Sequence, residues 1–161
     1  MTLSFILNGE DVTVDAEPNR RLVDILRDDF GLTGCKAGCR SGHCGACAVV
    51  FNGTVSPACQ IPAFNLRASE IVTIEGFAIT DDYNDIMLGF SAYAVENCGF
   101  CGAAKVLLAD SLIAGKELPA RGEILSAFDS ISCRCTTGEN LADAVLEAAK
   151  IRDRRHNVRR R

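Results

Sequence analysis

The chain has 161 residues, a formal net charge of −4 and a hydrophobic content of 48%. This length corresponds to one large domain or two small ones, and the apolar content is sufficient for a buried core. Tryptophan is absent and aromatic residues make up only 6%, so the core must be mainly aliphatic. The negative charge argues against a general role in nucleic-acid binding. No apolar run approaches the roughly 18 residues of a membrane-spanning helix, so we expect no membrane segment.

Nine cysteines are a high number for a chain of this length. The first ten residues, MTLSFILNGE, reach a turn and an acidic residue without the basic start of a signal peptide, so we expect a cytoplasmic protein. In that compartment, closely spaced cysteines indicate metal binding more than disulfides, and the odd count agrees with this.

The first 76 residues predict a small mixed sheet with one helix across it. Asn8-Gly9 and Asn52-Gly53 are typical turns of β-hairpins. Apolar residues recur at helical spacing between positions 21 and 30, which predicts one helix there. The strands predicted around these signals are Thr2–Leu7, Glu10–Val14, Ala48–Phe51, Thr54–Ser56 and Ile71–Ile74.

The first group of cysteines lies between the predicted helix and the end of the second hairpin. Four of them have the spacing C-x4-C-x2-C-x11-C, which is typical of plant-type [2Fe–2S] sites: Cys39, Cys44, Cys47 and Cys59. Such a cluster carries one electron at a time. Glycines crowd the same stretch, and they allow backbone N–H groups to approach the sulfurs. The pattern favours an iron–sulfur cluster over zinc or disulfides.

Strand signals end near residue 76, which divides the chain into residues 1–76 and a helical unit of residues 77–155. Four short helices suggest a small bundle. The predicted helices are Asp85–Asn97, Ala103–Ala114, Arg121–Phe128 and one that starts at Thr136. The first should face inward with Ile86, Phe90, Tyr93 and Ala94, and the second should end at Gly115. Thr136 and Glu139 fit a capping box at the start of the fourth. A basic tail, residues 156–161, completes the chain.

The second group of cysteines lies at the predicted helix starts. Cys98, Cys101, Cys133 and Cys135 have the spacing C-x2-C-x31-C-x-C. The free N–H groups and positive dipole of a helix N-terminus favour anionic thiolates and a negatively charged cluster. Two close cysteine pairs are also a common zinc pattern, so the spacing alone leaves both metals open.

At these residues the chain resembles the small two-cluster iron–sulfur subunit of the molybdenum hydroxylases, the xanthine dehydrogenase and aldehyde oxidase family. The family's motifs match at Gly38-Cys39, Cys44-Gly45-Ala46-Cys47, Cys59, Cys98-Gly99-Phe100-Cys101 and Cys133-Arg134-Cys135-Thr136. The resemblance implies an α+β fold, with an N-terminal β-grasp domain of plant-type ferredoxin kind followed by a C-terminal four-helix bundle. Each of the two would hold one [2Fe–2S] cluster.

The same resemblance implies partners and a function. A molybdopterin-binding large subunit and an FAD-binding medium subunit are expected, and this chain would pass single electrons from the molybdopterin site to flavin or another acceptor. By itself it would turn over no substrate. Xanthine or another purine is the first substrate class to consider, and an N-heterocycle or aldehyde follows.

The sequence departs from the family pattern around the second group of cysteines. The family's Gln before Cys-Gly-Phe-Cys often approaches the pterin, and here it is Asn97, a possible pterin contact with a shorter reach. The family's Thr-Pro-Gly after Cys101 is Gly102-Ala103-Ala104. Both changes suggest a divergent branch of the family.

Several residues and two other functions stay open. Cys35 is a packed thiol or a spare redox-active one, and we expect His43 to be exposed rather than a ligand. Arg134 offsets cluster charge or only packs at the surface. Arg152–Arg161 is a frayed, solvated helix end or a dock for an acidic partner. The alternatives to the relay are a stand-alone ferredoxin-like carrier and a zinc-stabilised interaction module.

Overall fold

The protein has a mixed α+β fold, seen in a computed structural model that describes residues 1–114 and 118–159. Within these ranges no helix is both long and apolar enough to cross a membrane. The strands are β1 Thr2–Leu7, β2 Glu10–Asp15, β3 Ala48–Phe51, β4 Thr54–Pro57 and β5 Glu70–Val72. The helices are α1 Leu22–Asp28, α2 Ile74–Phe77, α3 Asp81–Ala92, α4 Gly102–Ile113, α5 Arg121–Phe128 and α6 Gly138–Arg159.

The five strands form one sheet in the order β2-β1-β5-β3-β4. The pair of β1 and β5 is parallel, and the other three pairs are antiparallel. Both predicted hairpin turns are present, with positive φ at Asn8 and Gly9 and at Asn52 and Gly53. Two left-handed residues in succession match the twist of the flanking strands. The predicted last strand ends too late, because Ile74 already begins α2.

Helix α1 covers one face of the sheet. Its buried residues Leu22, Ile25 and Leu26 belong to the same apolar core as Leu3 of β1 and Val49 of β3. Full burial of each such side chain contributes about 1.5–3 kcal/mol. Two cysteines of the first group, Cys47 and Cys59, lie in this core, so the strands and α1 position half of that group.

The opposite face of the sheet packs against the helical part of the chain. Val50 and Val55 point away from α1 and contact a second core that contains Leu107 of α4. Successive residues of a strand face opposite sides, so Val49 and Val50 join β3 to both cores. The sheet therefore lies between α1 and α4, and the two halves of the chain share an apolar boundary.

Helix α3 is displaced towards the N-terminus relative to the prediction. Thr80 caps its start, since the Thr80 hydroxyl accepts the N–H of Tyr83 at 3.1 Å. The helix ends at Ala92, because Ala94 has a left-handed backbone with φ of 50°. Ile86 and Phe90 are buried as predicted, but Tyr93 and Ala94 are exposed, and the prediction that they face inward was wrong. Gly115, the predicted end of α4, lies outside the described residues.

The start of α6 is capped by a different residue from the one predicted. Thr137, not Thr136, accepts the N–H of Asn140 at 3.2 Å. Thr136 instead donates its hydroxyl to the carbonyl oxygen of Glu96 at 3.3 Å, and Glu139 pairs with Arg121. The predicted capping box is therefore wrong, and Thr136 links the last cysteine loop to the segment before Cys98.

Helix α6 packs closely along α3. A Cβ atom at Gly89 would lie 2.5 Å from the carbonyl oxygen of Ala144, so the two backbones are nearly in contact. At the far end, Arg152 is only 6% exposed, and its guanidinium lies 2.8 Å from Asp110. Arg155 pairs with Asp85 at 2.7 Å. The prediction of a frayed, solvated helix end was wrong for these two arginines, which fix α6 to α3 and α4.

Candidate metal centres

The loop between α1 and β3 folds around the sulfur of Cys39. Three backbone N–H groups, from Ser41, His43 and Cys44, donate to Cys39 Sγ at 3.2–3.4 Å. In return, the N–H of Cys39 donates to Cys44 Sγ at 3.4 Å. Such converging N–H groups stabilise a thiolate, and they are the arrangement that the glycine-rich sequence predicts.

Gly38 shows why this loop needs glycine. A Cβ atom there would lie 2.8 Å from Cys44 Sγ and 3.0 Å from a ring carbon of Phe100. Any side chain would therefore displace either a cysteine of the first group or the aromatic ring next to the second. The space beside Cys44 exists only because position 38 has no side chain.

Cys47 and Cys59 approach the loop from the buried side. The N–H of Ala58 donates to the carbonyl oxygen of Cys47 at 3.0 Å, so the end of the β3–β4 hairpin holds Cys59 beside Cys47. The side-chain amide of Gln60 donates to Cys59 Sγ at 3.5 Å. The four predicted cysteines of the first group are therefore successive neighbours: Cys39 contacts Cys44, and Cys47 interacts with both Cys44 and Cys59. Two lie at the loop surface and two at the edge of the core.

The electrostatic environment differs across this group. Hydrogen bonds from Ser41, first its side chain and then its backbone N–H, lower the pKa of Cys39 to about 5. Burial raises the pKa of Cys47 to about 11, although a hydrogen bond from the backbone N–H of Cys59 lowers it. A thiolate is favoured where N–H groups and water solvate it and disfavoured in an apolar core. Positive charge from metal would offset the cost at Cys47.

The second group of cysteines is the more compact one. The sulfur of Cys101 lies 3.4 Å from that of Cys98 and 3.5 Å from that of Cys133. The sulfurs of Cys98, Cys101 and Cys135 all lie within 4.8 Å of one another, the spacing of a possible metal site. All four predicted cysteines therefore converge, although 31 residues separate Cys101 from Cys133.

Helix α4 starts directly at this second group. Cys101 is the residue before its first turn, and the N–H of Cys101 donates to Cys98 Sγ at 3.5 Å. The backbone N–H groups of Cys101 and Phe100 lower the pKa of Cys98 to about 6. Burial raises the pKa of Cys101 to about 12. The N–H of Cys101, the capping residue of α4, thus acts on the sulfur of Cys98, as predicted for this cysteine pair.

Lys105 was missed by the sequence analysis. Its side chain is completely buried, and its ammonium donates to the carbonyl oxygen of Glu96 at 2.6 Å. Burial alone would raise the pKa of Cys133, but the N–H of Cys135 and other donors, together with the positive charge of Lys105, lower it. A lysine one helical turn after Cys101, on a stripe of alanine and leucine, was the signal available in the sequence.

The two cysteine groups are in direct contact. The N–H of Ser132, the residue before Cys133, donates to the carbonyl oxygen of Cys44 at 3.0 Å. A Cβ atom at Gly45, where φ is +70°, would lie 2.5 Å from the carbonyl oxygen of Ser130. The loop of the first group and the loop of the second thus pack backbone against backbone.

The other residues considered in the sequence lie outside the two groups of cysteine ligands. Cys35 is buried and its thiol donates to the carbonyl oxygen of Cys47 at 3.4 Å, which fits a packed thiol. Burial raises its pKa to about 12. His43 is exposed as predicted, and Arg134 is also exposed. The amide nitrogen of Asn97 lies 3.5 Å from the sulfur of Met87, while its buried amide oxygen has no hydrogen-bond partner in the described part of the chain.

The two groups fit iron–sulfur clusters chemically. Each offers four sulfur donors, which is the ligand set of a [2Fe–2S] cluster. N–H donors surround Cys39 and Cys98, and Gly38 leaves room beside Cys44. Four sulfurs also suit zinc, so the donor set by itself does not identify the metal.

Comparison with protein families resolves the cofactor. Residues 5–70 match the family described as "2Fe-2S iron-sulfur cluster binding domain". Residues 73–146 match the family described as "[2Fe-2S] binding domain". Each match contains one complete cysteine group, so two [2Fe–2S] clusters are the cofactors of this chain.

Individual relatives agree over most of the length. The "Nicotinate dehydrogenase small FeS subunit" of Eubacterium barkeri is 39% identical over 136 residues, which cover 84% of this chain and 87% of the relative. The crystal structure of quinoline 2-oxidoreductase from Pseudomonas putida 86 has a chain that is 32% identical, with a TM-score of 0.86 and 96% of both chains covered.

A longer protein contains a similar region. The aldehyde oxidoreductase from Desulfovibrio desulfuricans ATCC 27774 is 32% identical with a TM-score of 0.85. The match covers 94% of this chain but only 17% of that one. The same arrangement therefore occurs as a small chain and as part of a much longer polypeptide.

Proposed function

Because the chain belongs to the small two-cluster iron–sulfur subunits of the molybdenum hydroxylase family, we propose that it relays single electrons between a molybdopterin active site and a flavin or another acceptor. Both sites would lie on partner subunits. The oxidation of a substrate releases two electrons, and each [2Fe–2S] cluster accepts one at a time. Two one-electron carriers in series are therefore suited to connect a two-electron donor with its acceptor.

The ligands in this proposal are the eight converging cysteines. The first cluster is held by Cys39, Cys44, Cys47 and Cys59, and the second by Cys98, Cys101, Cys133 and Cys135. The first would belong to a β-grasp domain, residues 1–76, and the second to a four-helix bundle formed by α3 to α6, residues 77–155. The exposed sulfurs of Cys39 and Cys135 give each site one edge that a partner can approach.

The observation that supports the relay best is the contact between the two loops. The N–H of Ser132, which is adjacent to the second-cluster ligand Cys133, donates to the carbonyl oxygen of the first-cluster ligand Cys44 at 3.0 Å. Phe100, between two ligands of the second cluster, lies against Gly38 beside the first. Two metal sites with unrelated structural roles would not need to lie close together, whereas electron transfer between two clusters requires that they do.

The partners of the proposal are a molybdopterin-binding large subunit and an FAD-binding medium subunit. For the substrate we favour a compound with a pyridine-type ring over a purine, because two of the three relatives described above are named for nicotinate and quinoline. The large subunit would determine this specificity.

Asn97 is our candidate for a contact with the pterin. Its buried amide oxygen has no partner in the described part of the chain, and its amide nitrogen faces only the weak acceptor Met87 Sδ. An unsatisfied buried polar atom costs about 1–3 kcal/mol. A rotation that turns the amide towards a polar ring on the partner subunit would remove this cost.

The test is low-temperature EPR of the dithionite-reduced protein, with iron, sulfide and zinc measured on the same sample. Two distinct signals and about four irons per chain, the content of two [2Fe–2S] centres, support the relay. One EPR signal with about two irons per chain would show that the second group of cysteines holds no cluster. Zinc without a signal would favour the zinc-stabilised module, and isolation of the native chain without a molybdenum subunit would favour the stand-alone carrier.

A further inference from the structure

Lys105 places a positive charge in the interior of the helical unit. The side chain is 0% exposed, and its ammonium is held by a neutral group, the carbonyl oxygen of Glu96 at 2.6 Å. A buried cation without a compensating anion is strongly unfavourable. The fold therefore needs negative charge close to Lys105.

Cys101 of the second group lies on the side of α4 that carries Lys105. The N–H of Lys105 bonds to the carbonyl oxygen of Cys101 at 3.1 Å, and residues four positions apart share one face of a helix. The same Glu96 oxygen also accepts the hydroxyl of Thr136, the residue after Cys135, at 3.3 Å. Glu96, two residues before Cys98, thus holds the ammonium of Lys105 next to the segments that carry both pairs of cysteines.

We propose that Lys105 tunes the second cluster, its buried ammonium stabilising the reduced cluster and thereby raising the reduction potential. Reduction adds one electron, and hence one negative charge, to the cluster and requires no proton. A positive charge nearby favours that product over the oxidised cluster. Because no water screens a completely buried charge, the interaction is stronger than one made at the surface. This inference depends on the relay proposed above, since it requires the second cluster to exist.

Arg134 provides the matched comparison within the same site. It lies between the ligands Cys133 and Cys135 and is therefore closer to them in sequence than Lys105. Its side chain is exposed, so water and salt screen its charge. If burial determines the effect, the more distant lysine tunes the cluster and the adjacent arginine does so much less.

The experiment is a redox titration followed by EPR on the cluster-loaded chain, comparing wild type with Lys105→Met, Lys105→Gln, Lys105→Arg and Arg134→Met. We expect Lys105→Met and Lys105→Gln to lower the ratio of reduced to oxidised second cluster about tenfold at a fixed potential. For a one-electron couple this equals about 59 mV. Lys105→Arg retains the charge and should stay near wild type, and the first cluster should titrate unchanged in every variant.

The variants separate charge from structure. A shift in Lys105→Met alone would show that the hydrogen bond, not the charge, matters, because glutamine retains a donor, and this would overturn the inference. Equal shifts in Arg134→Met and Lys105→Met would overturn the role of burial. Two normal EPR signals with no shift would reject Lys105 as a tuning residue and leave the relay intact, whereas the absence of a second signal in wild type would reject the relay itself.

Discussion

The contact between the two cysteine loops can be tested by adding one methyl group at Gly45. This residue has φ of +70°, and a Cβ atom there would lie 2.5 Å from the backbone oxygen of Ser130. An L-residue in the left-handed conformation costs roughly 1–2 kcal/mol. Overpacking against a backbone that must move costs about 1–3 kcal/mol more. We therefore expect Gly45→Ala to destabilise the protein by about 2–5 kcal/mol.

Gly53 provides a control for the backbone cost alone. Its φ of +79° is similar, but a Cβ atom there meets nothing within 4 Å. Gly53→Ala should therefore cost only about 1–2 kcal/mol. The difference of about 1–3 kcal/mol between the two variants measures the contact of the loops.

The assay is thermal unfolding of the cluster-loaded chain, followed by far-UV circular dichroism without oxygen. In a chain of this size, 1 kcal/mol corresponds to about 2–4 °C in Tm. The Tm of Gly45→Ala should therefore lie at least about 2 °C below that of Gly53→Ala. Equal Tm values would refute the close packing of the loop of Cys44 against the segment before Cys133.

Three further predictions concern packing, charge and metal. Gly89→Ala should destabilise the protein by about 1–3 kcal/mol in thermal unfolding, because the new methyl group meets the backbone of α6 at Ala144. A free-energy change close to that of Gly122→Ala, at an exposed glycine, would contradict this contact. Arg152→Met should cost about 1–3 kcal/mol, since it leaves the half-buried Asp110 without its cation while Asp85 stays paired with Arg155. Arg154→Met at an exposed pair should cost under 1 kcal/mol, and equal losses in the two variants would show that α6 is not anchored by charge. Cys101→Ala should remove about two irons per chain and one EPR signal. Cys35→Ala removes a thiol outside both proposed ligand sets and should retain about four irons, so loss of iron in this variant would make Cys35 a ligand.

Local patterns were sufficient to predict most elements near the first cysteine group. The Asn-Gly turns and alternating strands act over a few residues, so Ala48–Phe51 and the hairpin that carries Cys59 were found from the sequence. Arg121–Phe128 was also predicted with its observed bounds. The end of α3 was missed because Ala94 adopts a left-handed conformation, which is rare for alanine and has no signal in the sequence.

Long-range pairing explains the other errors. Thr136 and Glu139 have the spacing of a capping box, but each has a partner far away in the chain, the Glu96 carbonyl and Arg121. The basic end of the chain reads as solvated because its acidic partners, Asp82, Asp85 and Asp110, are at least 42 residues away in sequence. Tertiary contacts decided these cases against the local preference.

The cysteine spacing predicts which sulfurs converge, but not how differently they are surrounded. Cys39 and Cys47 belong to one group, yet hydrogen bonds, first from the Ser41 side chain and then from backbone N–H groups, lower the pKa of Cys39 to about 5. Burial raises the pKa of Cys47 to about 11. That difference in pKa depends on which side of the loop is covered by the core, and the spacing of the cysteines in the sequence does not specify that side. Lys105 is a similar case, because the packing of α4, and not a cysteine motif, places its buried charge where it acts on Cys101 and Cys133. The candidate ligands of a metal centre can therefore be proposed from a sequence, whereas the surroundings that set its redox properties require the fold.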